Sequence, residues 1–176
     1  EAKRRGLPNI RSYVDSIDSL IEEKAVALFE RNNVYHRNEL LARTNILYDE
    51  VVKNIKTETM VLLDQSKKMI LPALVKEIKF YTDARNSLQQ SNAFYDRKIN
   101  HLCDLLQQLD ERYHACKDAF YKRRNCKSHK EKALYMNETL VPLMKELREV
   151  LDDIEESISA QHYPLPTYEQ LFTSLT

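Results

Sequence analysis

The sequence has 176 residues, of which 43% are hydrophobic and 31% are charged, as expected of a folded chain rather than a disordered one. Basic and acidic residues both number 27, so there is no net charge to attract nucleic acid or an anionic membrane. Gly6 is the single glycine, whereas phosphate-binding loops, dinucleotide turns and nucleophile elbows all need glycine. These counts exclude such sites from the chain after Gly6 and favour long helices.

The cysteines and the hydropathy pattern indicate the cellular compartment. Cys103, Cys116 and Cys126 are odd in number and form no C-x-x-C pair, which argues against a disulfide framework and predicts a cytoplasmic protein. No apolar run reaches the length of about 18 residues that a membrane span needs, and no signal peptide is recognisable. Because the sequence begins at Glu1 rather than at methionine, we expect it to be a piece of a longer protein.

Residues 1–36 are predicted to form an N-terminal segment with one short helix. Ser19 and Glu22 have the spacing of a capping box, in which each side chain bonds the other residue's backbone N–H. A helix is therefore expected from about Leu20 to Arg31. The Asn32-Asn33 pair should end it, because asparagine tolerates the left-handed conformation.

A longer helical pattern begins at about Arg37 and fades near Ser91-Asn92. Its apolar stripe keeps mostly helical spacing. The stripe consists of Leu40, Leu47, Val51, Ile55, Leu62, Met69 and Ala73, widened by Leu41, Tyr48, Val52 and Ile70. Pro72 removes a backbone donor and should produce a kink or a short break.

The next helix has the most regular apolar pattern in the chain. Spacings of three and four alternate through Ile99, Leu102, Leu106, Leu109, Tyr113, Cys116 and Phe120, which we call the seam. Such a pattern is typical of a bundle helix that packs at a shallow angle. After a polar loop at 125–129, a last helix is predicted from about Lys130 to Ser159, bent or restarted at Pro142.

The fold class predicted from these elements is all-α. About three long helices over 37–160 should form an elongated antiparallel bundle, with the segment 1–36 before it and a tail over 161–176 after it. All 176 residues would form a single domain. The tail should run extended at its two prolines and end in a short helical turn near Phe172. Its predicted packing or docking residues are Tyr163, Pro164, Leu165, Pro166, Tyr168 and Phe172.

Candidate chemical sites are few, and each has a simpler interpretation. Glu111 and His114 match half of a carboxylate metal motif, but the seam directs both side chains outward, so no metal ligand is predicted. No catalytic residue is predicted either, because the sequence shows neither a base beside Cys103 nor a reason for a low thiol pKa. Cys116 is expected to fill the core. A basic cluster suits a helix C-terminus followed by a solvated loop, with phosphate or RNA binding as the weaker alternative. That cluster consists of Lys122, Arg123, Arg124, Lys127, Lys130 and Lys132.

Four segments resemble the C-terminal helical region of type III glutamine synthetases, in the same order. They are Arg5–Asn9 (RGLPN), Glu23–Phe29 (EKAVALF), Glu58–Ala73 (ETMVLLDQSKKMILPA) and the tail Tyr163–Phe172 (YPLPTYEQLF). The resemblance spans nearly the whole chain, and the proline-containing segments are the most specific part. One departure is Tyr163, where the family pattern leads us to expect tryptophan.

The resemblance implies a parent enzyme that joins ammonia to glutamate with ATP and a divalent metal such as Mg²⁺, through a γ-glutamyl phosphate. The family's metal and nucleotide ligands lie in a preceding catalytic domain and have no match here, so no cofactor is expected in this piece. The piece should be inactive alone and act as a structural or oligomerisation module. Its expected partners are the catalytic domain of the same chain and neighbouring subunits of a homo-oligomer, with neither nucleic acid nor membrane.

An alternative of a different class is a free-standing helical adaptor that binds a partner helix in a groove. It predicts a native start close to Glu1 and an exposed apolar stripe. The upstream reading frame discriminates between the two hypotheses.

Overall fold

The computed structural model describes residues 4–6, 10, 12–88, 92–166 and 172–173, and within these ranges it contains helices and no strand. Helix α1 spans Tyr13–Ile17 and α2 spans Glu23–Arg31, with a 3-10 helix, Asp18–Ile21, between them. Helices α3 (Arg37–Gln65) and α4 (Leu71–Asn86) are separated by a π turn, Ser66–Ile70. Helix α5 covers Ala93–Lys122 and is followed by a 3-10 turn, Arg123–Asn125. Helices α6 (His129–Tyr135) and α7 (Val141–Ser157) flank a second π turn, Met136–Leu140. The predicted all-α class is confirmed.

The chain divides into two compact units. Unit 1 comprises Glu1–Glu58 and Phe120–Val141, and unit 2 comprises Thr59–Ala119 and Pro142–Thr176. Parts of α3 and α5 therefore belong to each unit. That all 176 residues form one domain stays a prediction.

Unit 1 buries apolar side chains from α1, α2, α3 and the α6 region. These include Val14, Ile17, Val26, Leu40, Tyr48, Val51, Val52, Ile55, Ala133, Met136 and Leu140. Asp18 ties the elements together, since it accepts a hydrogen bond from the Tyr48 hydroxyl at 2.8 Å and forms an ion pair with Lys130. Burial alone would raise the pKa of Asp18, but Lys130 and Tyr48 outweigh it and lower that pKa.

Unit 2 buries the middle of α5 against α4 and α7. Its core includes Ile70, Ala73, Leu74, Leu102, Leu105, Leu109, Cys116, Ala119, Leu147, Val150, Leu151, Ile154 and Ile158. Thr59 is also buried, and its hydroxyl donates to the sulfur of Met144 at 3.0 Å. An ion pair between Arg112 and Glu146, at 2.7 Å, links the exposed sides of α5 and α7.

Both interior prolines follow a π turn, and the helical backbone continues without a break from α3 to α4 and from α6 to α7. The backbone N–H of the first residue after each turn donates a hydrogen bond to the carbonyl five residues earlier. These bonds run from Leu71 to Ser66 and from Val141 to Met136. Proline follows immediately, at Pro72 and Pro142. Because proline has no N–H, an extra residue in the turn accommodates the missing bond while the helical backbone continues.

Several local predictions were wrong. Ser19 lies inside the 3-10 helix, and α2 begins after Glu22 without a side-chain cap, so the capping box does not form. The N-terminal segment contains α1, capped instead by the Ser12 side chain, which accepts from Val14 N–H at 3.1 Å. The break at Asn32-Asn33 is confirmed, with Asn33 at a φ of 54°.

The long apolar stripes mark the buried faces with several shifts. Thr59 and Ser66 are buried, whereas the stripe residues Leu47, Leu62 and Met69 are only half-buried. Leu41 is exposed, whereas the polar residue Thr44 is buried in its place on α3. On α5, Leu105 is buried more completely than Leu106. The pattern at α4 ends at Asn86, before the predicted limit, and Ser91 lies outside the described residues.

Candidate functional site

The most unusual side chain in unit 2 is Glu77, a carboxylate with no exposed surface. Residues at spacings of three and four place it on the buried face of α4, after Ile70, Ala73 and Leu74. A buried carboxylate is costly unless hydrogen bonds compensate for lost hydration. Glu77 therefore needs partners from another part of the chain.

Those partners come from the segment that follows α7. The backbone N–H of Ser159 donates to Glu77 Oε1 at 3.1 Å, and the Ser159 hydroxyl donates to Oε2 at 2.9 Å. The Nδ1–H of His162 donates to the same Oε2. Burial would raise the pKa of Glu77, but the bonds from His162 and Ser159 outweigh burial and lower it. We call this arrangement the Glu77 anchor.

The geometry of the Glu77 anchor does not activate a nucleophile. In a Ser-His-acid relay the histidine lies between the hydroxyl and the acid. Here both Ser159 and His162 donate directly to the carboxylate, so the serine proton is directed toward Glu77. The anchor fixes the start of the tail on α4.

A second carboxylate holds the next residue of the tail. The Tyr163 hydroxyl donates to Glu155 Oε2 on α7 at 2.7 Å. Burial raises the pKa of the Tyr163 hydroxyl, and the hydrogen bond to Glu155 and the negative charge of Glu155 raise it further. Two separate contacts, with Glu77 and with Glu155, therefore hold residues 159–163 on α4 and α7.

The predicted docking residues of the tail differ in their surroundings. Tyr163 and Leu165 are half-buried, whereas Pro164 and Pro166 are exposed, and these four residues are not helical. Phe172 lies in a helical turn and is 72% exposed. Tyr168 lies outside the described residues. That these side chains dock onto another surface stays a prediction.

An aromatic patch borders the anchor, and sequence reasoning did not identify it. Phe80 and Phe94 are about half exposed and lie against Tyr81 and Tyr95 with ring centroids 5.4 to 6.4 Å apart. The Phe80 ring also contacts the His162 ring, at 5.7 Å. These four aromatic residues, which we call the aromatic patch, form an exposed apolar surface beside the tail.

The other sequence candidates are not brought together into a site. Glu111 and His114 are exposed on α5, as predicted, and His114 faces Asp110 at 3.5 Å. Among the described residues, no group of three or more histidine, cysteine or acidic side chains could hold a metal ion. Cys116 is fully buried, and burial raises the pKa of its thiol to about 11.

Much of the basic cluster is engaged locally. The Arg123 guanidinium lies 3.5 Å from the Phe120 ring centroid, and that of Arg124 lies 5.2 Å from the Tyr121 ring. Lys130 is paired with Asp18. These contacts agree with the simpler interpretation of a helix end followed by a solvated loop. In the part of the chain that the structure describes, no helix has the length and apolar character to cross a membrane.

The fold and the Glu77 anchor define a helical module in which the start of the tail is held on α4 and an aromatic patch is exposed. The family model of the glutamine synthetase C-terminal domain matches residues 1–90, just over half of the chain. The chain belongs to this family. The predicted resemblance to the C-terminal region of type III enzymes is therefore confirmed.

Curated relatives extend the match to nearly the whole chain. A type-3 glutamine synthetase of Dictyostelium discoideum is 27% identical over 97% of this chain, and a glutamine synthetase of Butyrivibrio fibrisolvens is 27% identical over 99%. A glutamine synthetase of Bacteroides fragilis (strain YCH46) is 23% identical over 97%. The chain covers 24%, 26% and 25% of these proteins, about a quarter of their length.

Proposed function

We propose that this chain is a non-catalytic structural and oligomerisation module of an ATP-dependent glutamate–ammonia ligase. The observation that carries the proposal is the pairing of two facts about the relatives. Glutamine synthetases match 97–99% of this chain, yet the chain accounts for about a quarter of their length. The remaining three quarters would supply the catalytic domain.

The parent reaction, in this proposal, ligates ammonia to glutamate and consumes ATP with a divalent metal such as Mg²⁺. The residues of this chain would not bind the nucleotide or the metal. Within the described ranges, the acidic and histidine side chains do not cluster in the way a metal requires, and no glycine follows Gly6 to form a phosphate loop. Both cofactors would be held by the catalytic domain, in the cytoplasm.

The proposed duty of the module is to pack against the catalytic domain or a neighbouring subunit of a homo-oligomer. Its long helices would form an elongated antiparallel bundle, with the tail and the aromatic patch as contact surfaces. Phe80 and Phe94 support this role, because large aromatic side chains are enriched at protein interfaces. The Glu77 anchor and the hydrogen bond between Tyr163 and Glu155 would together set the direction of the tail.

The experiment compares variants of the full-length protein that contains these residues. The double substitution Phe80→Ser with Phe94→Ser should shift the assembly to smaller species in light scattering, and glutamine formation should fall with it. Leu28→Ser on α2 is a matched control, since Leu28 is exposed to a similar fraction but lies in unit 1. It should leave the assembly intact.

Two results would contradict the proposal. Glutamine formation by the isolated 176-residue chain would show that the module is catalytic by itself. An upstream reading frame without a catalytic domain would favour the free-standing adaptor instead.

A further inference from the structure

A small pocket lies in unit 2, where the π turn Ser66–Ile70 and the start of α4 face the middle of α5. Its volume is about 130 Å³. The apolar part comes from Leu71, Leu109 and Tyr113. The polar part is made by Ser66, Lys67, Asp110, His114 and Lys117.

The π turn shapes the wall of the pocket. Its extra residue displaces the helix surface by part of a turn, and such turns occur frequently at functional sites. The Ser66 hydroxyl donates to the Leu62 carbonyl at 2.6 Å, so it is used within the helix. The side chains of Lys67, within the turn, and Leu71, directly after it, line the pocket.

The charges around the pocket are unevenly paired. On the same turn, Lys68 forms an ion pair with Asp64 at 2.5 Å. Lys67 and Lys117, in contrast, have no carboxylate partner among the described residues, and the Lys117 ammonium lies 5.6 Å from the Tyr113 ring centroid. Asp110 faces His114 at 3.5 Å. Two ammonium groups without a carboxylate partner in the described part of the chain therefore border the pocket, together with one carboxylate, Asp110, that faces His114.

We propose that this pocket binds a small organic anion with a single carboxylate on an apolar body of about one ring. The volume of the pocket limits the size of the ligand's apolar part. A cavity of roughly 150 Å³ admits benzene, whereas pockets for drug-sized ligands and cofactors usually exceed about 300 Å³. Lys67 and Lys117 pair with the carboxylate through charge-assisted hydrogen bonds. Asp110 repels a second negative charge, which disfavours dicarboxylates and phosphate esters.

The test is equilibrium dialysis of radiolabelled phenylacetate against the full-length protein. Binding should saturate, and the double variant Lys67→Met with Lys117→Met should weaken it at least about tenfold, as expected for loss of charged hydrogen bonds. Lys68→Met is the matched control and should leave binding unchanged. Asp110→Asn should strengthen binding, because it removes the repelling charge.

Four results would overturn the proposal. In the dialysis, they are the absence of a saturable component that the double variant removes, equal weakening of binding by Lys68→Met, and equally strong competition by neutral 2-phenylethanol. Hydrogen exchange should show ligand-dependent protection at 66–71 and 109–117, and protection elsewhere alone would also refute it. Thermal unfolding verifies that the variants fold, and each single lysine variant replaces the double one if it does not. Binding is measured without ligase activity, so this inference and the proposed function can fail separately.

Discussion

Glu77 and Ser159, which are 82 residues apart in sequence, are joined by two hydrogen bonds, from the Ser159 backbone N–H at 3.1 Å and from its hydroxyl at 2.9 Å. The contact makes the first residues after α7 part of unit 2. Because the carboxylate has no exposed surface, water cannot substitute for Ser159 or His162. The anchor should therefore contribute measurably to stability.

Glu77→Gln should lower the free energy of unfolding by about 1.5–3 kcal/mol, the range for hydrogen bonds to a charged group. The amide keeps the size of the side chain but places an N–H group where the carboxylate accepted bonds. Urea denaturation measures the change. Glu156→Gln, an exposed position on α7, is the control and should stay within about 0.5 kcal/mol of the parent. Equal effects at both positions would contradict a specific role for the anchor.

The contribution of Glu77 should also depend on pH. Its pKa in the folded protein is below the ordinary value of 4.5, because the bonds from His162 and Ser159 outweigh burial. The stabilisation is therefore fully present above that value and is lost as the pH falls through the folded pKa. The difference in unfolding free energy between the parent and Glu77→Gln should shrink as urea titrations move below pH 4.5. A difference that stays constant or grows on acidification would contradict this assignment.

Cysteine reactivity provides an independent test of burial in unit 2. Cys116 is fully buried and its thiol pKa is raised to about 11 by burial, whereas Cys103 is exposed on the same helix. Since the thiolate is the reactive form, Cys103 should react rapidly with a chromogenic disulfide reagent at pH 8 and Cys116 only after unfolding. Because Cys126 is partly exposed, the comparison is made in a Cys126→Ser background, where Cys103→Ser should remove the fast phase of the absorbance change. Rapid labelling of Cys116 in the folded protein would show that the core of unit 2 is open.

The sequence predicted the helices better than it predicted the anchor, for a physical reason. Scarce glycine and apolar residues at helical spacing act locally, so the long helices and the orientation of Glu111 could be derived from them. Glu77 occupies a stripe position, which was the available signal, but its partners lie far along the chain. Pro72 indicated a disturbed helix, whereas the π turn before it depends on how the surrounding side chains pack.

The seam on α5 shows the limit of periodicity at the level of single residues. Regular spacing selected Leu106, but Leu105 is 3% exposed and Leu106 is half-buried. Adjacent helical residues differ in direction by about 100°, so a small rotation of α5 decides which leucine enters the core. The two positions therefore provide a direct comparison of sequence pattern and structure.

Leu105→Ala should destabilise the protein by about 2–5 kcal/mol, because truncation of a buried leucine loses transfer free energy and leaves a cavity. Leu106→Ala removes the same atoms at a partly solvated position, so its cost should be clearly smaller. Urea denaturation at constant m-value measures both changes, and the fully buried Leu109→Ala gives the expected upper level on the same helix. If Leu106→Ala were the more destabilising of the adjacent pair, α5 would be rotated from the orientation described, and the pocket lined by Leu109 and Tyr113 would have to be redrawn with it.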